Sequence, residues 1–231
     1  VLDSSLKEIV PLKRVFEAIE GQILNGKTYL SISKAIRALL ESHPDVFGTA
    51  PTFFGLTSEG GLELAQMTVA RLYDRSRSGL DRAVTIRRML EQSKREIRSF
   101  KYGDETEVNE AIAKAGKTVQ GLEPILAAIK HRRNEWFAHL DVRTVANSQE
   151  SNDRAKLTIA DLERAFRETE EIVGNLTHLF DGAIGELRYL GGDDYRGMLE
   201  RIRHSIVTEK EVFDAVFGKH LGDPPPAAEG S

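Results

Sequence analysis

One segment of the sequence, residues 130–141, carries arginine and histidine in a spacing that suits action on a charged substrate. On a helix that turns by ~100° per residue, Arg133 lies at the centre of one apolar face. The apolar residues of that face are Leu122, Ile125, Leu126, Ile129, Trp136, Phe137 and Leu140. A guanidinium is costly to bury unless it is paired, so a specific partner or a specific task must hold Arg133 there. His139 lies at one edge of the face and Asn134 lies toward the other, so three polar groups flank one packing surface.

Two interpretations of these polar groups stay open on geometry alone. In the first, Arg133 is structural and joins two helices through a carboxylate such as Asp74, and His139 is a structural histidine beside an apolar face. In the second, His139 is catalytic, because histidine titrates near neutral pH and can transfer protons there.

A second segment, residues 21–28, satisfies the P-loop pattern G-x-x-x-x-G-K-[ST]. A P-loop follows a buried strand and opens a helix, whereas residues 13–24 have helical periodicity, and no later apolar strand ends in aspartate. The sequence therefore favours a helix C-terminus capped near Gly26 over a nucleotide-binding loop.

Other catalytic classes find little support in the composition. The chain has no cysteine, which excludes disulfides, thiolate metal sites and a cysteine nucleophile. Its 6 histidines show no i,i+4 pair and no H-E-x-x-H motif, and the G-x-S-x-G motif of serine hydrolases is absent. We expect no metal and no cofactor.

Length and charge narrow the class of protein further. The 231 residues, 40% of them hydrophobic, suffice for one large domain or two small ones. The net charge of −4 argues against a broad basic face for duplex nucleic acid. No apolar run reaches the roughly 18–20 residues that span a bilayer, and the first residues lack the features of a signal peptide, so we expect a cytoplasmic protein that binds no membrane.

Apolar residues recur at spacings of three and four almost throughout, which predicts an all-α helical bundle of about seven to eight helices. The segment from 43 to 60 is rich in proline, glycine, serine and threonine and is predicted to be a loop. Residues 158–161 have the spacing of a helix capping box, and the helix that follows is predicted to be the longest. The predicted helices are 6–24, 28–42, 62–74, 80–100, 105–118, 125–141, 162–190 and 195–217. Pro124 is predicted to lie near the first turn of the helix 125–141.

Three parts of the chain are expected. Residues 1–103 form an N-terminal helical part that packs on a helical core of residues 104–218, and residues 219–231 form a disordered tail. The apolar positions of 162–190 suit either the core of the bundle or a helix-pairing dimer seam.

The arginine–histidine segment resembles a known family signature. Arg133-Asn134, four further residues and then His139, within an all-α chain, are similar to the motif of the HEPN superfamily (higher eukaryotes and prokaryotes nucleotide-binding). The sequence RNEWFAHLD (residues 133–141) is most similar to the R-N-x-x-x-A-H-x-D variant of the abortive-infection, AbiU-like branch, so the match includes Ala138 and Asp141. Residues 105–190 carry the resemblance best.

The resemblance implies a homodimer in which two motif helices meet and two arginine–histidine pairs form one composite, metal-independent ribonuclease site. Attack of a ribose 2′-OH on its phosphate would then leave 2′,3′-cyclic phosphate and 5′-OH ends, with His139 transferring protons and Arg133 stabilising phosphoryl charge. Asn134 would orient the phosphate or Arg133, and Lys130 and Arg132 would bind the substrate. The expected setting is phage defence or a toxin, with single-stranded RNA or tRNA as substrate and an antitoxin or regulator as partner.

Two further alternatives accompany this resemblance. The basic segment 94–101 (KREIRSFK) either adds positive potential for single-stranded RNA or is a solvated helix face. The whole chain could instead be a non-catalytic helical module that binds a nucleotide or a protein, as the spacing along 162–190 and the acidic total charge suggest.

Overall fold

The computed structural model describes residues 10–42, 50–74, 83–133 and 156–183, with isolated positions at 44 and 48 and between 197 and 212. Across these residues the chain is helical apart from short connections and contains no strand, which confirms the all-α class. The helices are α1 (Leu12–Ser42), α2 (Pro51–Leu72), α3 (Ile86–Arg95), a 3-10 turn (Ile97–Ser99), α4 (Glu105–Gly121), α5 (Glu123–Arg132) and α6 (Ile159–Asp181).

Helix α1 is continuous, so the predicted break between residues 24 and 28 is wrong. Gly26 does not cap a helix but lies buried in the middle of α1. A β-carbon at this position would lie 2.4 Å from the ring of Phe166 and 2.9 Å from the methyl group of Thr68. The glycine therefore serves a close approach between helices rather than a chain reversal.

Residues 51–60, predicted as part of a loop, form the first turns of α2 instead. Pro51 stands in the first turn, where its missing N–H would have no helical partner and its fixed φ favours the helix. Phe54 and Ser58 are buried, and Phe54 forms a small apolar cluster with Ile36 of α1. Packing against α1 thus outweighs the weak helix preference of this stretch.

Helix α6 is shorter than the predicted span of 162–190. It ends at Asp181 because Gly182 adopts a left-handed conformation, with φ of 77°, and donates its N–H to the carbonyl of His178 at 2.8 Å. With 23 residues it is also shorter than α1, which has 31 and is the longest helix in the described ranges.

The connection between α3 and α4 covers the end of α6. The backbone N–H groups of Lys101 and Tyr102 donate to the carbonyls of Phe180 (3.2 Å) and Leu179 (3.0 Å). The last carbonyls of a helix have no N–H partner within the helix, so these bonds satisfy them. The ring of Phe100 meets that of Phe180 edge to face at 5.5 Å. These contacts hold the connection against the helix terminus.

Capping boxes begin α4 and α6. The Asp104 side chain accepts from the N–H of Glu107, whose carboxylate accepts from the N–H of Asp104. Thr158 and Asp161 form the same reciprocal pair at the start of α6, as the sequence predicts.

Helix α3 is shorter than predicted. It starts after Thr85, whose hydroxyl accepts from the N–H of Arg88, and it ends at Arg95, so it covers the middle of the predicted span of 80–100.

Helices α1 and α6 run antiparallel with a defined register. Lys27 pairs with Glu170 at 2.7 Å, and Lys34 pairs with Glu163, so each helix advances by seven residues in opposite directions between the two pairs. Seven residues are about two helical turns, which places both pairs along one line of contact.

One apolar core joins the helices and draws on residues of both the predicted N-terminal part and the predicted core. The boundary at residue 103 stays a prediction. The predicted tail 219–231 lies outside the described residues, and the described positions between 197 and 212 are helical. Fully buried members of this core are Leu12, Ile19, Ile23, Leu72, Ile86, Met89, Leu122, Ile129, Leu162, Phe166 and Leu176.

Candidate functional site

Helix α5 positions the predicted site residues. The chain turns at Leu122, and Pro124 stands in the first turn of the new helix, as the sequence predicts. Leu122, Ile125 and Ile129 are buried against the neighbouring helices, which confirms this part of the predicted apolar face. The buried face fixes the rotation of α5 and therefore the direction of the side chains at its end.

Arg133 is half-buried at the end of α5. Its backbone is still helical, with φ of −56° and ψ of −44°, and its N–H points to the carbonyls of Ile129 and Lys130. The helix thus leads into the motif as predicted. Asn134 and His139, the other two predicted catalytic residues, lie outside the described residues, so their placement beside Arg133 stays a prediction.

The two predicted substrate-binding residues differ in their surroundings. Lys130 is exposed, whereas Arg132 is half-buried and lines a cleft that lies beside the end of α5. About 200° of helical rotation separates two positions that are two residues apart, which accounts for the difference. The structure therefore brings Arg132 to a concave surface and leaves Lys130 on the outside.

The cleft has a volume of about 560 Å³ and lies where four helices meet. Its walls come from α1, α2, the end of α5 and the first turn of α6. The lining residues are Arg37, Glu59, Leu62, Gln66, Arg132, Leu157, Thr158, Ile159, Ala160 and Leu162.

Arg37 brings a second guanidinium to the cleft. Its Nε donates to the hydroxyl of Ser58 at 3.2 Å, and its Nη2 pairs with Glu59 at 2.7 Å. These two bonds orient the guanidinium. The Glu59 carboxylate offsets part of its charge.

Gln66 is the most buried polar side chain of the cleft, with 2% of its surface exposed. Its Oε1 is buried and has no hydrogen-bond partner within the part of the chain that the structure describes. A buried acceptor without a donor costs about 1–3 kcal/mol.

Sequence reasoning did not single out Arg37 or Gln66. A signal for Gln66 exists, since it stands four residues after Leu62 and three before Val69, on the buried line of α2. For Arg37 the sequence holds no comparable signal.

The first turn of α6 adds a helix N-terminus to the cleft. Thr158 and the residues after it form one wall, and helix N-termini carry partial positive charge. Asp161 lies in the same turn, and hydrogen bonds from the Thr158 hydroxyl and backbone lower the pKa of its carboxyl, so it is ionised near neutral pH. This carboxylate offsets part of the dipole.

The basic segment, the P-loop-like pattern and the acidic and histidine side chains form no further candidate site in the described part of the chain. In the basic segment, Lys94, Arg95, Arg98 and Lys101 are all exposed, and the segment is divided between the end of α3 and the 3-10 turn. Lys27 of the P-loop-like pattern pairs with Glu170 and belongs to the contact between α1 and α6. Within the described ranges, no three histidine, aspartate or glutamate side chains gather closely enough to hold a metal ion.

None of the described helices combines the length and the apolar character that crossing a membrane requires.

Comparison with known families identifies the family of the chain. The family model described as AbiU2, an HEPN family, matches residues 9–202. The chain therefore belongs to the AbiU2 family of HEPN proteins, which confirms the resemblance drawn from the sequence. No curated protein and no solved structure gives a significant match to the chain.

Proposed function

We propose that this protein is a metal-independent endoribonuclease of the HEPN type. Membership of the AbiU2 HEPN family supports the class of protein. The observation that carries the proposal is the half-buried Arg133 at the end of α5, directly after Arg132 in its cleft, at the start of the sequence R-N-x-x-x-A-H-x-D. A half-buried guanidinium interacts more strongly with phosphoryl oxygens than an exposed one, because water competes less for it.

The proposed reaction is attack of a ribose 2′-OH on the adjacent phosphate. His139 accepts the proton of the 2′-OH and supplies a proton to the leaving 5′-oxygen, tasks that imidazole groups in general perform near neutral pH, and Arg133 stabilises the charge that builds on the phosphoryl oxygens. Asn134 orients the phosphate or Arg133. The 5′-oxygen leaves as a hydroxyl, and the products carry 2′,3′-cyclic phosphate and 5′-OH ends.

We further propose that two chains form one site, with an arginine and a histidine from each. The cellular role we propose is abortive infection or a toxin restrained by an antitoxin or other regulator, acting in the cytoplasm. The matching family model is described as AbiU2, a family of the abortive-infection branch, and this match supports the proposed role. Light scattering during size-exclusion chromatography should give the mass of two chains.

The test is a cleavage assay on total RNA and tRNA with EDTA present, with analysis of the product ends. Wild type should cleave and leave cyclic-phosphate ends, whereas Arg133→Ala and His139→Ala should lose activity by at least 100-fold, the size typical of general acid–base catalysis. Arg87→Ala is the control for loss of charge, because Arg87 is exposed on α3 and pairs only at the surface with Glu91.

Circular dichroism and light scattering of each variant separate loss of catalysis from loss of fold or dimer. Full activity in both motif variants, or a requirement for a divalent metal, would contradict the proposal. RNA binding by a folded wild type that never cleaves would favour the non-catalytic binding module.

A further inference from the structure

One face of α2 carries large apolar side chains that the fold leaves exposed. Phe53, Leu56 and Leu64 have 53%, 70% and 47% of their surfaces exposed. On a helix that turns by ~100° per residue, these three lie within about 80° of rotation together with Gly60 and Met67. We call these five residues the α2 stripe. Apolar side chains gathered on one exposed face are typical of a contact surface, whereas single ones need no explanation.

The α2 stripe is separate from the cleft beside α5. Leu62 and Gln66, which line the cleft, lie about 120–160° of helical rotation from the centre of the stripe. Within the stripe, the ring of Phe53 meets that of Phe54 edge to face at 5.4 Å, and Phe54 is itself buried against α1. Phe53 is therefore an exposed aromatic side chain on a fixed support, which is typical of the anchors of protein contacts.

The spacing of the α2 stripe is symmetrical about Gly60. Its members follow one another at intervals of 3, 4, 4 and 3 residues. Two copies of α2 that meet antiparallel across a two-fold axis at Gly60 bring each residue opposite the one that is equally far from the axis on the other side. Phe53 then faces the partner's Met67, and Leu56 faces the partner's Leu64. Each apolar side chain of the stripe thus meets an apolar side chain.

The charges of α2 and its central glycine fit the same arrangement. Glu63 is exposed at the edge of the stripe and lies opposite the partner's Thr57, so no two carboxylates meet. At the axis, neither a described neighbour within 4 Å of a β-carbon nor a left-handed backbone requires glycine at position 60. Glycine inside a helix lowers stability relative to alanine. Close approach of a second helix at the axis gives Gly60 a use.

We infer that the α2 stripe binds the α2 stripe of a second copy of this chain, antiparallel and across a two-fold axis at Gly60. The contact is distinct from the composite site proposed above and does not rest on ribonuclease function. One helix from each chain supplies far fewer than the roughly 20–30 residues a side of a standard interface. The contact is therefore weak and forms as the concentration rises, so a sample diluted during size-exclusion chromatography keeps the mass expected above.

Disulfide trapping tests the contact in the full-length chain, which has no cysteine of its own. Helix axes about 8–10 Å apart place facing Cα atoms about 3.5–5.5 Å apart, which overlaps with the span of about 4.4–6.8 Å of a disulfide. Under a mild oxidant, Gly60→Cys should link two chains roughly tenfold faster than Gly55→Cys, as read on a non-reducing gel. Gly55 is the matched control, because it is likewise half-buried in α2 with an open β-carbon position but faces away from the stripe.

A mixture of Leu56→Cys and Leu64→Cys chains, one of them carrying an affinity tag, tests the register. The mixed pair should link faster than either variant links with itself, because position 56 of one copy faces position 64 of the other.

Light scattering against protein concentration tests the contact without a cross-link. The apparent mass of wild type should rise over a roughly hundredfold range of concentration. Leu56→Glu should remove this rise, because each copy would bring a carboxylate into an apolar contact. Leu56 is 70% exposed, so the change leaves the fold intact, which circular dichroism verifies. Gln120→Glu adds the same charge at an exposed position of α4 and should leave the rise unchanged.

Equal rates of linkage for folded Gly60→Cys and Gly55→Cys would overturn the inference and favour a different apolar partner for the stripe. Self-linkage of Leu64→Cys that is faster than linkage in the mixture would overturn the two-fold axis at Gly60. A rise in mass that persists in Leu56→Glu would overturn the stripe as the surface of self-association. None of these results depends on RNA cleavage, so they are distinguishable from failure of the proposed function.

Discussion

The ring of Phe166 in α6 occupies the space that a side chain at position 26 of α1 would need. A β-carbon on Gly26 would lie 2.4 Å from Cζ of Phe166, well inside van der Waals contact. The ring is itself 2% exposed and packed in the main core, so it cannot move away without disturbing its other neighbours. The approach of α1 to α6 at this point therefore depends on glycine.

Replacement of this glycine should destabilise the fold. We expect Gly26→Ala to be less stable than Gly21→Ala by about 2 kcal/mol, because overpacking a core costs about 1–3 kcal/mol. Gly21 is the matched control: it lies on the exposed side of the same helix, with no described neighbour within 4 Å of its β-carbon. Both variants gain the same helix propensity, so urea unfolding reports the packing difference. Equal midpoints for the two variants would contradict the close approach.

Gly60 and Gly61 allow the same comparison for the close approach of α1 and α2. A β-carbon on Gly61 would lie 2.9 Å from the carbonyl oxygen of Tyr29, whereas one on the adjacent Gly60 would meet no described atom within 4 Å. Since the backbone of α1 cannot rotate away as a side chain can, we expect Gly61→Ala to lower the free energy of unfolding by about 1–3 kcal/mol. Gly60→Ala should raise it by up to about 1 kcal/mol. Thermal melts of both variants decide the matter, and a gain in Gly61→Ala would be the contrary result.

The register between α1 and α6 should show as coupling between Lys27 and Glu170. Both side chains are partly buried, with 33% and 26% of their surfaces exposed, so their attraction is screened less than that of a surface pair. A double-mutant cycle with Lys27→Met and Glu170→Gln should give a coupling of about 1 kcal/mol, at the upper end for accessible pairs.

Arg87 and Glu91 provide the reference for that cycle. They pair within α3 with 72% and 52% of their side chains exposed, and about 0.3–0.5 kcal/mol is expected for such a pair. A coupling between Lys27 and Glu170 no larger than this would contradict the predicted difference.

Stability should depend on pH through Asp161. Hydrogen bonds from the Thr158 hydroxyl and backbone lower the pKa of this carboxyl below its ordinary value of 3.8. Because the folded pKa is the lower one, ionised Asp161 stabilises the fold above the unfolded value, and this contribution is lost as the pH falls through the folded pKa. Asp161→Asn should therefore cost about 0.3–1.5 kcal/mol at pH 7, and the gap to wild type should begin to narrow below pH about 4 and close only below the folded pKa.

Urea unfolding at several pH values measures this gap. Glu171→Gln removes a charge from the exposed face of the same helix and should stay within about 0.5 kcal/mol of wild type at every pH. A gap for Asp161→Asn that persists unchanged at low pH would argue against the role of the ionised carboxylate.

Local signals in the sequence were sufficient wherever the chain interacts with itself over a few residues. The capping box of Thr158 and Asp161 and the proline that starts α5 are confirmed because capping and proline geometry act within one helical turn. The apolar face of α5 follows from the same short-range periodicity. The family likewise could be inferred from one segment of nine residues, whose types and spacing need no tertiary contact to be recognised.

Helix ends that depend on distant partners were misjudged. Gly182 ends α6 although apolar residues continue beyond it. A β-carbon there would lie 2.7 Å from the ring of Tyr102, which the pattern of α6 alone does not contain. The stretch 51–60 was predicted as a loop for the same reason, since its helix is stabilised by burial of Phe54 and Ser58 against α1.

The sequence by itself determined the helical class, the helix caps, the family and the basic end of the motif helix, because each is set by residue type and spacing along one stretch of chain. Only the tertiary structure decided that Gly26 joins two helices rather than ending one. It also decided that Arg132 turns into a cleft with Arg37 and Gln66 from helices far away in sequence. Such contacts depend on which buried helix faces pack together, and packing across the whole core determines this rather than any local pattern.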